Sequence, residues 1–134
     1  MVVVDTPVWS EFFRRTAAQA SIVDGLKKVV EDGEAILIGP IRQEILSGIR
    51  DAPQFERLRA ALRAFPDFAI GTEDYERAAS MFTQCRTKGV QGSNTDFLIC
   101  AISVRLGASI FTLDQDFEHF AAVLPIRLHL VDGH

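Results

Sequence analysis

The 134 residues are 48% hydrophobic and 24% charged, which is typical of a globular chain of one domain, and the formal net charge of −4 argues against a surface built only to hold a polyanion. No apolar run approaches the roughly 20 residues that cross a bilayer. The amino-terminal segment lacks the basic residues of a secretory signal, and an acid, Asp5, already stands at the fifth position. We therefore expect a cytoplasmic protein.

Short apolar runs alternate with segments of helical periodicity along the whole chain. In chain order they predict a strand over 2–4, helices over 8–13 and 17–31, a strand over 35–38, helices over 41–49 and 53–65, a brief strand over 68–70, helices over 72–88 and about 95–106, a strand over 109–113, a short helix through 120, and a last strand or edge over 126–131. Strands joined through helices indicate an α/β fold, with a mostly parallel central sheet covered by helices on both faces.

Local signals refine several of these elements. Thr6 is a plausible N-cap of the first helix, and Asn94 or Thr95 is a plausible N-cap of the helix that Gly107 terminates. Residues 97–102 are nearly all apolar, which predicts a buried helix. Cys85 and Cys100 lack metal-type spacing, and we expect two free thiols on helix faces.

Acidic side chains stand just after predicted strands or at the first turns of helices. Asp5 follows the first strand, and Asp114 and Asp116 follow the fourth. Glu44 lies one turn into the helix after the second strand, and Asp96 opens the apolar helix. Because ligands of parallel sheets bind outside the carboxyl ends of the strands, we expect these acids to meet at one edge.

Clustered carboxylates raise the cost of ionising one another unless a cation lies among them. Mg²⁺ and Mn²⁺ prefer oxygen ligands, and such a site suits phosphodiester hydrolysis by a metal-bound water. Each acid has a simpler interpretation when taken alone. Asp5, Asp96 and Asp114 could cap helices, and Glu44 could pair with a neighbouring arginine. Their joint placement favours the metal site.

Basic residues are concentrated in one segment despite the negative net charge. Residues 42–63 carry five arginines, of which Arg42, Arg50 and Arg57 are candidate RNA-binding residues. The segment is equally typical of a solvated helix face. The glycine- and serine-containing loop 89–95 is a second candidate for RNA contact.

Four segments together resemble the PIN-domain family, and most of all its VapC ribonuclease toxins from prokaryotic toxin–antitoxin modules. These segments read VVDTPVW at 3–9, QEILSG at 43–48, TDFLI at 95–99 and TLDQDF at 112–117. The resemblance covers essentially the whole chain. It implies a PIN-like three-layer fold in a single domain over 1–134, and Mg²⁺- or Mn²⁺-dependent endonucleolytic cleavage of RNA.

The resemblance also assigns roles to individual residues. The catalytic acids that it implies are Asp5, Glu44, Asp96 and Asp114; Asp5, Asp96, Asp114 and Asp116 are the implied metal ligands, and Thr6 and Thr112 are the implied supporting hydroxyls. Pro7 departs from the family, which commonly has a small polar residue there, so no role is expected at that position.

The resemblance further implies a homodimer and a small VapB-like antitoxin that covers the acidic groove, with tRNA or rRNA as the substrate. Trp9, Phe12 and Phe13 either belong to the core or help to form the partner groove, and helical spacing favours the core.

Other functions compete with this interpretation. A receiver domain requires a lysine after a late strand, yet no lysine follows Lys88, and an aspartyl phosphatase requires a second aspartate where Pro7 stands. A PIN-type nuclease of RNA processing or of DNA has the same acids. A non-enzymatic protein-binding α/β domain whose acids cap helices would be indifferent to Mn²⁺.

Overall fold

Four short strands and seven helices alternate along residues 1–14 and 18–131, the part of the chain that this computed structural model describes. Their order is β1 (Val2–Val4), α1 (Thr6–Phe13), α2 (Ala20–Glu31), β2 (Ala35–Ile38), α3 (Gly39–Ser47), α4 (Ala52–Leu62), β3 (Asp67–Phe68), α5 (Thr72–Thr87), α6 (Asn94–Leu106), β4 (Ser109–Phe111) and α7 (Asp116–Ala121). The predicted start of the second helix at residue 17 lies outside the described residues.

The sheet has the strand order β3-β2-β1-β4, and every neighbouring pair is parallel. In the central strand β1, Val3 pairs with Ile36 on one side and with Ile110 on the other. All three residues of β1 are buried, and successive strand residues point to opposite faces, so both faces of the sheet are covered there. The predicted α/β fold with a parallel sheet is confirmed.

Helix α6 carries the most apolar stretch of the chain. Seven consecutive residues from Phe97 to Ser103 are buried, which confirms the prediction of a helix enclosed on all sides. Gly107 ends α6 with a φ of 63°, a left-handed conformation that glycine adopts without steric cost. Cys85 and Cys100 are buried free thiols, as expected.

Two predicted helix caps were wrong by one residue or more. Asp5, and not Thr6, is the N-cap of α1, because its carboxylate accepts a hydrogen bond from the backbone N–H of Thr6 at 2.8 Å. Ser93, and not Asn94 or Thr95, is the N-cap of α6. The pattern Ser93-x-x-Asp96 is a capping box, so a local signal for this N-cap was present in the sequence.

The last strand was overestimated. Over 126–131 the structure has a single parallel bridge between Ile110 and Leu128, with the N–H of His129 donating to the carbonyl of Ile110 at 2.7 Å. Strand β4 ends at Phe111, two residues before the predicted end. The N–H of Ile110 also donates to the carbonyl of Arg127 at 2.8 Å, so the pairing of this segment is confined to Ile110.

Trp9 belongs to the core. It is fully buried and its indole N–H donates to the carbonyl of Val4 at 3.1 Å. Phe12 and Phe13 are half-buried beside it, with Phe13 stacked on the indole at 6.3 Å between centroids. Over the described residues no helix is long and apolar enough to cross a membrane.

Candidate active and metal site

The carboxyl edge of the sheet brings the predicted acids together. Asp5 follows β1 directly, and Asp114 lies three residues after the end of β4. Glu44 on α3 and Asp96 in the first turn of α6 act electrostatically on Asp5, and Asp114 and Glu44 act on Asp96. The four side chains that were far apart in sequence therefore share one electrostatic environment.

Asp5 is the most buried of these acids, with 5% of its surface exposed. Its Oδ1 accepts from the N–H of Thr6, and its Oδ2 accepts from the hydroxyl of Thr112, both at 2.8 Å. Burial raises the pKa of Asp5 from 3.8 to about 6. The two hydrogen bonds oppose this rise, whereas the charges of Asp96 and Glu44 add to it.

Asp96 is held by the cap of its own helix. Its carboxylate accepts from the backbone N–H of Ser93 at 2.9 Å, and its own N–H donates to the Ser93 hydroxyl at 3.1 Å. Burial raises the pKa of Asp96. The hydrogen bonds from Ser93 oppose the rise, and the charges of Asp114 and Glu44 reinforce it.

Two threonines connect the acids. The hydroxyl of Thr6 donates to Oε1 of Glu44 at 2.7 Å, so Thr6 contacts Asp5 through its backbone and Glu44 through its side chain. The hydroxyl of Thr112 donates to Asp5 and accepts from the N–H of Asp114 at 3.0 Å. Thr6 and Thr112 thus contact the acids that the resemblance expected them to support.

Asp116 acts through its backbone in this arrangement. Its N–H donates to Oδ1 of Asp114 at 2.9 Å and orients that carboxylate. The Asp116 side chain itself is exposed and stands 4.0 Å from Nδ1 of His119. Its role as a metal ligand stays a prediction.

The donor set fits a hard divalent cation. None of the four acids makes an ion pair within residues 1–14 and 18–131, so their charge is not balanced by a basic side chain there. In the same residues no three His, Cys, Asp or Glu side chains stand close enough together to ligate one ion jointly. Mg²⁺ is commonly held by one or two carboxylates with waters and substrate phosphate, which suits acids spread along an edge.

The structure gives Arg42 a different use from the one predicted. Its guanidinium pairs with Asp67 at 2.8 Å, donates to the carbonyl of Leu62 at 3.0 Å and donates to the carbonyl of Phe65. Arg42 therefore ties α3 to the end of α4 and to β3. Arg50 and Arg57 are exposed and stay candidate RNA-binding residues.

No pattern in the sequence predicted the packing beneath the loop that precedes Asp96. Aromatic rings form a chain from Phe97 to Phe120 at 5.0 Å and from Phe120 to Phe117 at 5.1 Å between centroids. A Cβ atom placed on Gly92 would lie 2.5 Å from Cζ of Phe120 and 3.1 Å from Cε2 of Phe97. Glycine at position 92 lets the loop lie against these rings just before the α6 cap.

Alanine at Gly92 is expected to destabilise the protein by about 1–3 kcal/mol, because the extra methyl overpacks a dense aromatic cluster. Urea unfolding of Gly92→Ala against wild type measures this directly. Gly39→Ala is the matched control, since a Cβ there meets no atom within 4 Å and the φ of Gly39 is not positive. Equal unfolding midpoints for Gly92→Ala and wild type would contradict this prediction, because the loop would then accommodate the methyl group without loss of stability.

Comparison with known proteins places these features in a family context. The PIN domain family profile matches residues 2–123. A VapC ribonuclease of Mycobacterium bovis and ribonuclease VapC11 of Mycobacterium tuberculosis are each 30% identical over 129 residues, covering 95% of this chain and 96% of the relative.

Solved structures share the fold at low sequence identity. FitAcB from Neisseria gonorrhoeae has a TM-score of 0.79 at 19% identity, with 97% of both chains covered. VapBC2 from Rickettsia felis, solved bound to a DNA fragment from its promoter, has a TM-score of 0.74 at 15% identity, covering 96% of this chain and 98% of that one. A toxin–antitoxin complex from Klebsiella pneumoniae has a TM-score of 0.68 at 17% identity, with 87% and 90% covered.

Proposed function

The chain belongs to the PIN-domain family, and from that premise we propose that it is a single-domain endoribonuclease that acts as the toxin of a type II toxin–antitoxin system. It cleaves phosphodiester bonds of RNA, with tRNA or rRNA as the substrate class, and thereby inhibits translation. The observation that carries this proposal is the gathering of Asp5, Glu44, Asp96 and Asp114 at one sheet edge without a basic partner among the described residues. The 30% identity to VapC ribonucleases over 95% of the chain supports the reaction class.

Mg²⁺ or Mn²⁺ is the proposed cofactor, and when bound it supplies a water of lowered pKa and charge stabilisation at the phosphoryl oxygens. Of Asp5, Asp96 and Asp114, with Asp116 as a further candidate, one or two carboxylates would bind the ion directly and the others through water, because no three of these side chains stand close enough to ligate one ion jointly. Asp5 and Asp96 must lose their protons to do so, and their raised pKa values mean that a cation competes with protons for the site.

Glu44 is proposed to accept the proton of the attacking water. Its Oε1 is oriented by the Thr6 hydroxyl at 2.7 Å, which leaves Oε2 for that proton. Thr112 keeps the carboxylates of Asp5 and Asp114 in a fixed relation, because one hydroxyl contacts both residues. These side chains therefore orient the reacting groups before RNA arrives.

A cleavage assay tests the nuclease proposal. Purified protein is incubated with single-stranded RNA and with initiator and elongator tRNAs, in Mg²⁺, in Mn²⁺ and in EDTA. Cleavage is expected only with the divalent cations, and it should be lost in Asp96→Asn. Asp51→Asn is the matched control: Asp51 also caps a helix, α4, but it lies outside the acidic cluster, and asparagine caps helices equally well.

Two outcomes would contradict this proposal. The first is cleavage that persists in EDTA and in Asp96→Asn, because such cleavage would require neither the cation nor Asp96. The second is an absence of cleavage together with an absence of Mn²⁺ binding by calorimetry. The second result would leave a protein-binding domain whose acids only cap helices.

The partner proposed for this site is a small VapB-like antitoxin that inserts a basic side chain among the carboxylates, and the toxin itself is proposed to be a homodimer. Structural neighbours solved as toxin–antitoxin complexes support this assignment. Co-expression with a candidate antitoxin should abolish both cleavage and Mn²⁺ binding. Retention of Mn²⁺ binding in the purified complex would exclude a basic side chain at the acids, and light scattering would report the oligomeric state.

Arg50 and Arg57 are proposed to hold the RNA backbone next to the acidic edge, whereas Arg42 is left out because its guanidinium is used within the fold. Each phosphate contact that is lost should weaken binding and reduce its salt dependence. Unchanged cleavage rates in both Arg50→Ala and Arg57→Ala would remove this role.

A further inference from the structure

A groove of about 490 Å³ opens beside Glu44, between α3 and the first turn of α6. Its volume lies within the range of small-ligand sites in proteins. The residues that line it are Pro40, Gln43, Glu44, Ser47, Gly48 and Thr95. Three further cavities among the described residues, of about 840, 520 and 190 Å³, are not lined by Asp5, Glu44, Asp96 or Asp114.

The groove is continuous with the proposed catalytic acids. Glu44 lines the groove, accepts the Thr6 hydroxyl and contributes its charge to the environment of Asp5. On the opposite wall, Thr95 directly precedes Asp96. An RNA strand that reaches the acids at the carboxyl edge of the sheet would therefore pass the opening of this groove.

The chemistry of the lining selects a neutral polar ligand. The side chains of Gln43, Ser47 and Thr95 make no hydrogen bond to residues 1–14 or 18–131, so their donors and acceptors are available to a ligand. The lining contains no lysine or arginine, and the negative charge of Glu44 disfavours phosphate. The base and ribose of an unpaired nucleotide supply uncharged donors and acceptors of the kind that proteins read in single-stranded RNA.

We propose that this groove binds the base and ribose of one unpaired nucleotide adjacent to the cleaved phosphate and that Gln43 contributes to the sequence preference of cleavage. The inference rests on the proposed ribonuclease function, because it assigns the neighbouring nucleotide of the same substrate. The phosphates on either side stay outside the groove, near the metal site and the exposed arginines.

Gly48 allows the groove to be filled without disturbing the fold. Its backbone has φ −78° and ψ −5°, which any residue adopts. A Cβ there would meet only the carbonyl oxygens of Ile45 at 3.6 Å and Glu44 at 3.8 Å, both ordinary contacts. A leucine at this position is therefore expected to fold normally and to occupy space that a nucleotide needs.

The test measures the binding of a fluorescein-labelled single-stranded RNA of random sequence in the Asp96→Asn background, where cleavage does not interfere. Gly48→Leu should weaken binding at least about tenfold, and Gln43→Ala should weaken it roughly three- to tenfold for the loss of a neutral hydrogen bond. The matched controls are Ala79→Leu and Gln84→Ala, both on exposed positions of α5, and both should bind as the background does.

A second readout separates the groove from the metal site. With Asp96 intact, Gln43→Ala should flatten the nucleotide preference at one position beside the cut in a randomised RNA, while Mn²⁺ affinity stays that of wild type. RNA affinities and cut-site preferences equal to the controls would overturn the groove proposal even if cleavage itself is established. Wild type could also bind RNA without cleaving it. If Gly48→Leu then lost this binding, the result would support the groove proposal and overturn the nuclease proposal.

Discussion

Asp5→Asn should reduce metal-dependent cleavage at least about 100-fold, because it removes a proposed ligand, and loss of even an outer partner of a ligand costs 10- to 100-fold. The same change should make the metal-free protein more stable at neutral pH. Asp5 is 5% exposed, and burial raises its pKa from 3.8 to about 6. Above that pH the folded state therefore carries a buried negative charge that burial disfavours. Asparagine removes the charge and keeps one acceptor, which can still receive the Thr6 N–H, whereas its NH₂ group would have to donate to the Thr112 hydroxyl that donates to Asp5 in wild type.

The pH dependence of this effect has a definite sign. Between about pH 4 and pH 6 the folded state retains a proton on Asp5 that the unfolded chain has released, so the stability of wild type falls as pH rises through this interval. A pKa displaced from 3.8 to about 6 corresponds to at most about 3 kcal/mol. Asp5→Asn should match wild type near pH 4 or below and exceed it by up to that amount at pH 7.

Urea unfolding in EDTA at several pH values between 4 and 8 measures the difference between Asp5→Asn and wild type, and the subtraction removes the titration of groups that do not interact with Asp5. Added Mn²⁺ should stabilise wild type and leave the variant unchanged, since only a folded state that binds the ion gains stability. A variant that is less stable than wild type at pH 7 without metal would contradict the charge argument. Asp51→Asn again serves as the control.

Thr112→Val should lower Mn²⁺ affinity by about 10- to 100-fold, which is the usual cost of losing a side chain that orients a metal ligand. The Thr112 hydroxyl donates to Asp5 at 2.8 Å and accepts from the N–H of Asp114 at 3.0 Å, so valine frees both acids at once. Calorimetric titration with Mn²⁺ measures the loss, and cleavage at saturating Mn²⁺ should recover in part.

Thr87→Val is the matched control for Thr112→Val. The Thr87 hydroxyl is exposed and donates to the carbonyl of Thr83 at 2.9 Å within α5, so its removal affects one local hydrogen bond outside the site. The assigned role of Thr112 would be wrong if both valine variants bound Mn²⁺ like wild type. A large fall in the unfolding midpoint of Thr112→Val with unchanged Mn²⁺ affinity would indicate a structural role alone.

Local patterns in the sequence determined the fold class and the edge at which the acids meet. The runs at β1, β2 and β4 are short and β-branched or apolar, and a parallel sheet forces the residues after such strands to one side. The positions of Asp5 and Asp114 in the sequence therefore suffice to assign both acids to one edge. The chemical character of the carboxylates then indicated a divalent cation.

Tertiary contacts decided what lies between these acids and how each is held. The use of Arg42 depends on carbonyls of Leu62 and Phe65, about 20 residues away, which no local pattern specifies. The strand predicted over 126–131 is reduced to one bridge, because this segment pairs with β4 at Ile110 alone. Pairing and long-range hydrogen bonds depend on the position of both partners, whereas periodicity reports on one segment at a time.

The groove beside Glu44 shows the same division. The sequence places Gln43, Ser47 and Gly48 in one helix and Thr95 at the start of another, without relating the two. In the folded chain, residues of α3 and Thr95 in the first turn of α6 line one cavity next to the acids. Local sequence thus determined which chemistry stands at the edge of the sheet, and only the packed structure decided the shape of the space in which that chemistry acts, because shape depends on the helices that meet there.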